Sequence, residues 1–324
     1  MASQPVDPTL LPVLSTAHLR VCITPLWLAL GLLIAIDAVW LWISPLNLSA
    51  DSWWALTSFI PLLTLGGWAS LRFGDAPRLH LLCRGFTFIL TAWPALRLYN
   101  HLTMSTGFPF ADDGLAAADA LLDFDWMQYL LWLDKHPTLI LLMDYSYSQL
   151  TNYSMVLFML LMLGREPVQR CEELVVLFFS TAVICSTIGM FFPAKAAAVH
   201  YQAPQDLLVH VDAAVGAYHI NHLLALRTDA EHLLVLKNLP GLVTFPSFHT
   251  AMGVIAIYCA RGTLWLLLPS LMVNLLMIAS TPLFGSHYFI DIIAGAFVAT
   301  GAILLHRRYA VSQLHKEVRE TPAG

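Results

Sequence analysis

Gly285-Ser286-His287-Tyr288-Phe289-Ile290-Asp291 opens the last long apolar segment of the chain, which runs to about residue 306. His287 and Asp291 are four apart, so on an α-helix they share one face, one turn from each other. A carboxylate placed there can accept a hydrogen bond from one imidazole nitrogen. The other nitrogen is then left bare and more basic, aimed beyond the helix end. That is a way to build a nucleophile from a histidine. The same pair can also serve only to fix a helix start, and taken alone it does not choose between the two roles.

The rest of the chain supplies the context. Its 324 residues are 58% apolar and 11% charged, with mean hydropathy +0.69, whereas soluble domains carry roughly 25% charged residues. The composition predicts an integral membrane protein. A net charge of -5 with no basic block excludes nucleic acid as a partner. Cys22, Cys83, Cys171, Cys185 and Cys259 lie in or beside apolar runs, with no disulfide or metal spacing. Residues 1–20 are polar with a single arginine, so no cleavable signal peptide is expected.

About eight spans can be drawn, at roughly 22–43, 54–72, 79–97, 139–164, 172–192, 247–261, 263–281 and 287–306. The expected fold is therefore all-α, a polytopic membrane helix bundle. With both termini cytoplasmic, the inner loops hold Arg20, Arg72, Arg78, Arg165, Arg170, Arg261, Arg307 and Arg308. The outer segments 44–53 and 282–286 hold no Lys or Arg. Segments 98–138 and 193–246 hold only Lys135, Lys195, Arg227 and Lys237. This asymmetry follows the positive-inside rule and favours an even number of spans.

Several segments stand out on the way. Asp37 and Arg84 are charges inside the leading spans, at depths that do not match; Arg84 is expected to snorkel to the inner interface. Residues 105–135 mix Asp112, Asp113, Asp119, Asp123 and Asp125 with alanine, leucine and two tryptophans, Trp126 and Trp132. They predict an amphipathic helix at the outer interface. The fourth span has a polar middle, Asp144 to Gln149 and Thr151 to Ser154. It should face the bundle interior or a wet cavity. His219 and His222 could share a helix face as metal ligands do, but no third ligand follows at a convincing spacing, and no metal or cofactor is expected.

The second polar helix start is Thr244-Phe245-Pro246-Ser247-Phe248-His249-Thr250. Proline suits a first helical turn and serine caps one. A helix N-terminus carries free N–H groups and a positive dipole end, which suit phosphate oxygens. Gly253, one turn on, and Gly295, below Asp291, allow close helix approach. By the charge count His249 and His287 lie at the outer ends of two spans. Two histidines, a carboxylate and a helix N-terminus at one depth suit phosphoryl transfer through a phosphohistidine.

Pro246-Ser247-Phe248-His249 and His287-Tyr288-Phe289-Ile290-Asp291, each opening a span, resemble the type 2 phosphatidic acid phosphatase superfamily. They look closest to its inositol phosphorylceramide synthase-like branch. The resemblance covers about residues 105–306. It implies a division into three N-terminal transmembrane helices (1–104), a six-helix phosphatase-like catalytic core (105–306) and a cytoplasmic tail (307–324). It implies that His287 is the nucleophile, that Asp291 orients it, that His249 is the general acid and that Ser247 donates to the phosphate. The chain departs from the superfamily pattern at two cations. The first motif, Lys-x6-Arg-Pro in the superfamily, offers only Lys195 here. The Ser-Arg of the third motif reads Ser280-Thr281. Arg227 first, Lys237 second and Lys195 are the candidates for the missing positive charge.

The implied activity is that of a lipid-phosphate phosphatase or phosphotransferase. It would take a lipid phosphate or phospholipid, with an acceptor alcohol where transfer follows. The expected place is a bacterial plasma (inner) membrane, with the site on the periplasmic face. The alternative is a non-catalytic lipid transporter or assembly protein retaining the fold.

Overall fold

In the computed structural model of the protein, residues 11–57, 59–72, 77–163, 167–212, 215–228 and 232–320 are described. Arg165 and the two chain ends, 1–10 and 321–324, lie outside these residues. Among the described residues the structure is helical except for two three-residue strands. Among the described residues, five helices are long and apolar enough to cross a membrane: Pro25–Ile43, Arg78–Met104, Gln169–Phe191, Leu264–Phe284 and Phe289–Ser312. Leu150–Met162 and Phe248–Cys259 are shorter apolar helices. The chain is thus an all-α polytopic membrane bundle.

The described residues fall into two compact units. The first comprises Met1–Leu102, Val156–Val176 and Asp229–Leu239. Its strand Leu46–Leu48 pairs in parallel with His232–Leu234. The Ser52 hydroxyl accepts from the Leu236 N–H at 2.8 Å beside that pair. The sequence-predicted span 54–72 appears as Ala50–Thr57 and Phe59–Arg72, on either side of Ser58, which is not among the described residues. Arg84 is half-buried, 3.4 Å from His80 Nε2 and within the field of Glu172. The intramembrane cation therefore has polar company inside its own unit.

The second unit comprises Thr103–Met155, Leu177–Thr228 and Pro240–Gly324. Helix Leu264–Phe284 packs against Pro137–Ser148 and Phe248–Cys259, and the last of these packs against Phe289–Glu320. Glycine permits the closest of these approaches. A Cβ on Gly253 would lie 3.0 Å from the Ile278 side chain, and one on Gly295 would collide with the Ser247 carbonyl.

Two sequence expectations change here. Residues 105–135 form two helices, Asp112–Leu121 and Trp126–Asp134, and their inner stripes join the core of this unit. Trp126 is no interfacial anchor. It is 2% exposed, its indole N–H donates to the Pro282 carbonyl at 3.1 Å, and its ring stacks on Tyr201. Trp132 remains half exposed. The predicted span 139–164 is two helices, Pro137–Ser148 and Leu150–Met162, meeting at Gln149. Only part of its polar middle turns inward. Met143, Ser146 and Tyr147 share the inner face, while Asp144, Tyr145, Ser148, Thr151 and Asn152 are exposed. The 3.6-residue period requires this split, because residues 144, 145 and 148 fall on the side opposite 143, 146 and 147.

Candidate active site

The turn between helices Leu264–Phe284 and Phe289–Glu320 carries His287. Ser286 holds a left-handed backbone there, φ 51°, and across from it Ala196 has φ 109°. A non-glycine residue in such a conformation costs on the order of 1–3 kcal/mol, so its surroundings must hold it. Those surroundings are visible. Ser286 accepts from two N–H groups of the neighbouring segment, from Ala197 to its carbonyl at 2.8 Å and from Ala198 to its Oγ at 2.6 Å. The His287 N–H donates to the Thr281 carbonyl at 3.2 Å.

Two aspartates brace the same turn from outside. Asp112 accepts from the N–H groups of Lys195 at 3.0 Å and Ala196 at 3.2 Å, and from the Tyr288 hydroxyl at 2.9 Å. Asp119 accepts from the N–H groups of Phe289 and Ile290, both at 2.8 Å. It thus caps the last helix from a different part of the chain, a contact typically worth ~1 kcal/mol. Burial pushes the Asp119 carboxyl upward, and those two N–H groups oppose the shift. Sequence reasoning placed these aspartates on an amphipathic interfacial helix and gave them no part in the site. The signal for their real role was present: Asp112, Leu115 and Asp119 form one buried stripe of their helix. Among the described residues no group of three His, Cys, Asp or Glu is placed to hold a metal ion.

His287 itself is 2% exposed. Its Nδ1 lies 3.2 Å from Asp291 Oδ2, which also accepts from the Tyr288 N–H at 3.0 Å. Its Nε2 lies 3.3 Å from Ser247 Oγ, and the Thr244 carbonyl is within hydrogen-bonding range of the ring. A carboxylate only accepts, so an ionised Asp291 favours the ring proton on Nδ1, with Nε2 toward Ser247.

Ser247 caps helix Phe248–Cys259, accepting from the Thr250 N–H at 3.3 Å. Pro246 therefore precedes the cap and lies outside the first helical turn, where the sequence reading had set it. The Ser247 N–H donates to the Asp291 carbonyl at 3.0 Å and so ties the two helix starts together. His249 follows in the first turn and stacks on Tyr147, ring centroids 4.2 Å apart and planes 13° apart. A Cβ on Gly285 would lie 2.8 Å from the Tyr147 hydroxyl and 2.9 Å from His287 Nε2. The Tyr147 hydroxyl thus reaches the vicinity of His287, and His249 is close enough to His287 to feel its charge.

The predicted cations are distributed unevenly. Arg227 Cζ lies 4.2 Å and Lys195 Nζ 5.0 Å from the centroid of the Phe110 ring, so both gather on one aromatic side chain. Arg227 also donates to the Phe108 carbonyl, and its other terminal nitrogen is buried with no hydrogen-bond partner. Lys237 belongs to the first unit and is exposed. Thr281, at the place of the expected arginine, is fully buried and its carbonyl is occupied by the His287 turn.

Long apolar helices with their polar side chains gathered where two of them begin define a multi-pass membrane protein with a buried histidine–carboxylate site. A model of the PAP2 superfamily matches residues 113–305, more than half of the chain, and the chain belongs to that superfamily. The superfamily generally hydrolyses phosphate esters, and membership supports a phosphatase-like function on a lipid phosphate. No match to a curated protein or to a solved structure was found.

Proposed function

We propose that the protein is a membrane lipid-phosphate phosphatase or phosphotransferase working through a phosphohistidine at the extracytoplasmic face. The observation that carries this reading is the nearness of His287, paired with Asp291 at one helix start, to His249 at another. Nε2 of His287 attacks phosphorus, and the bond to the leaving oxygen breaks. His249, entering as imidazolium, gives its proton to that oxygen. Asp291 holds the Nδ1 proton and stabilises the phosphorylated, cationic ring. Neutral His249 then takes a proton from water or from an acceptor alcohol. The new oxygen attacks phosphorus, and the P–N electron pair returns to Nε2.

Water as acceptor makes a phosphatase, and an alcohol makes a phosphotransferase. The likeness of the two motifs to the inositol phosphorylceramide synthase-like branch supports transfer. Ser247 serves as a donor to the phosphate. Arg227 and Lys195, gathered on Phe110, supply positive charge toward the equatorial oxygens. The scheme needs no metal. The loop charges support a plasma (inner) membrane location with cytoplasmic termini and a periplasmic site.

The test is incubation of the full chain, in detergent or vesicles, with a range of lipid phosphates with and without alcohol acceptors. Inorganic phosphate and new phospholipids are scored beside His287→Ala. The expected result is product from wild type alone. A second reading, a non-catalytic lipid transporter or assembly protein, draws on the buried Thr281 where the superfamily carries arginine. Identical behaviour of wild type and variant on every lipid would favour it.

A further inference from the structure

His219 is left unused by the scheme above, and its surroundings are unusual. It follows the 3-10 turn Val215–Ala217, which lies directly on the His287 turn. A Cβ on Gly216 would sit 2.6 Å from Ser286 Cβ and 2.7 Å from the Leu283 carbonyl. The His219 side chain is buried, 3% exposed, and neither ring nitrogen has a hydrogen-bond partner. Leaving a buried polar group unmet costs about 1–3 kcal/mol. The ring feels the charge of His287. Its neighbour Tyr218 packs edge-on against it at 5.2 Å and is hydrogen-bonded with Tyr147, the tyrosine that stacks on His249. Three imidazoles therefore gather at the His287 turn, and both nitrogens of the third are buried without a hydrogen-bond partner.

A transferring phosphoryl group needs donors around its equatorial oxygens. Thr281 carries no guanidinium, and its buried hydroxyl is spent within its own helix, donating to the Ile278 carbonyl at 2.8 Å. We propose that His219 is a substrate-binding residue whose ring N–H donates to a non-bridging oxygen of the phosphate ester, in place of the missing arginine. The inference rests on the phosphohistidine reading of the site and adds a binding residue to it. Without ligand, burial and then the neighbouring His287 hold the His219 pKa down to about 4, which keeps the ring neutral. A phosphate set beside it brings both an acceptor and a countercharge.

The test uses the full chain in detergent with orthovanadate and inorganic phosphate as probes, binding being read by thermal shift and titration. His219→Leu should weaken both at least tenfold and raise KM for a turned-over lipid phosphate more than it lowers kcat. His219→Gln, which keeps an N–H donor, should recover most of that loss. In wild type labelled with 15N-histidine, the His219 ring signals should move on adding phosphate. Vanadate binding by His219→Leu equal to wild type, or His219 signals that stay put, overturns the inference and leaves the phosphohistidine reading standing. Wild type that binds neither anion and turns over no lipid phosphate overturns both. If His219→Leu does not fold, the ring signals and the Gln variant decide.

Discussion

His287 and His249 open neighbouring helices, yet they are held in different ways. His287 stands in a strained turn fixed on every side: by Asp291 and Ser247 at its ring, and by Thr281, Ala197 and Ala198 at its backbone. Asp112 and Asp119 then fix the two residues that follow. His249 rides on an ordinary helical turn and stacks on Tyr147. The contrast matches the two proposed tasks. A nucleophile must meet phosphorus along one line, so its geometry is set in advance. A proton donor must follow leaving groups of different size, and a stacked ring allows sliding that a carboxylate tether forbids.

If the contrast is real, variants on the two sides should fail differently. His287→Ala should lose at least 10³-fold in kcat for every substrate, because no bond to phosphorus can form. A residual rate that varies with the lipid would break the contrast. His249→Gln should lose on the order of 10²–10⁴-fold on an alkyl phosphate ester but far less on an aryl ester, whose oxygen leaves without a proton. Equal losses on both esters would remove His249 as the acid. Tyr147→Leu should cost roughly tenfold on alkyl esters through loss of stacking, while Tyr147→Phe, which keeps the ring, should cost little. If Phe is as damaging as Leu, the hydroxyl and its bond to Tyr218 matter more than the stack.

The smallest effect concerns stability. His219 is held near pKa 4 in the fold against 6.5 for the free residue, first by burial and then by His287. Between those values the unfolded chain binds a proton that the fold refuses. Stability should therefore fall as pH drops from about 6.5 toward 4, by about 1 kcal/mol per unit from this residue. Melting temperatures at pH 7 and pH 5 should differ less in His219→Gln than in wild type. An unchanged difference would contradict the burial argument.

The sequence was most legible where chemistry and periodicity coincide. Long apolar runs announced the bundle, and His287 with Asp291, four apart, announced a shared face. Gly253 and Gly295 were read correctly as points of close helix approach. What escaped depends on tertiary partners. Asp112 and Asp119 serve a helix start some 170 residues away in the chain, and no local pattern shows that the acceptor they supply is needed there. Tyr147 and the exposed Tyr145 sit in the same polar run, and only the break at Gln149 and the packing against Leu264–Phe284 decide which one turns inward. His219 and His222 share a helix face by spacing but lack a third metal ligand, and spacing along one helix says nothing of a turn elsewhere in the chain.

The central claim is a covalent bond between phosphorus and His287. Wild type is mixed with a lipid phosphate labelled on phosphorus, quenched in alkali within a turnover, digested and mapped by mass spectrometry. The account predicts an acid-labile, alkali-stable phosphate on the peptide bearing His287, absent from His287→Ala. Steady turnover with no labelled protein, or label on another residue, would contradict it.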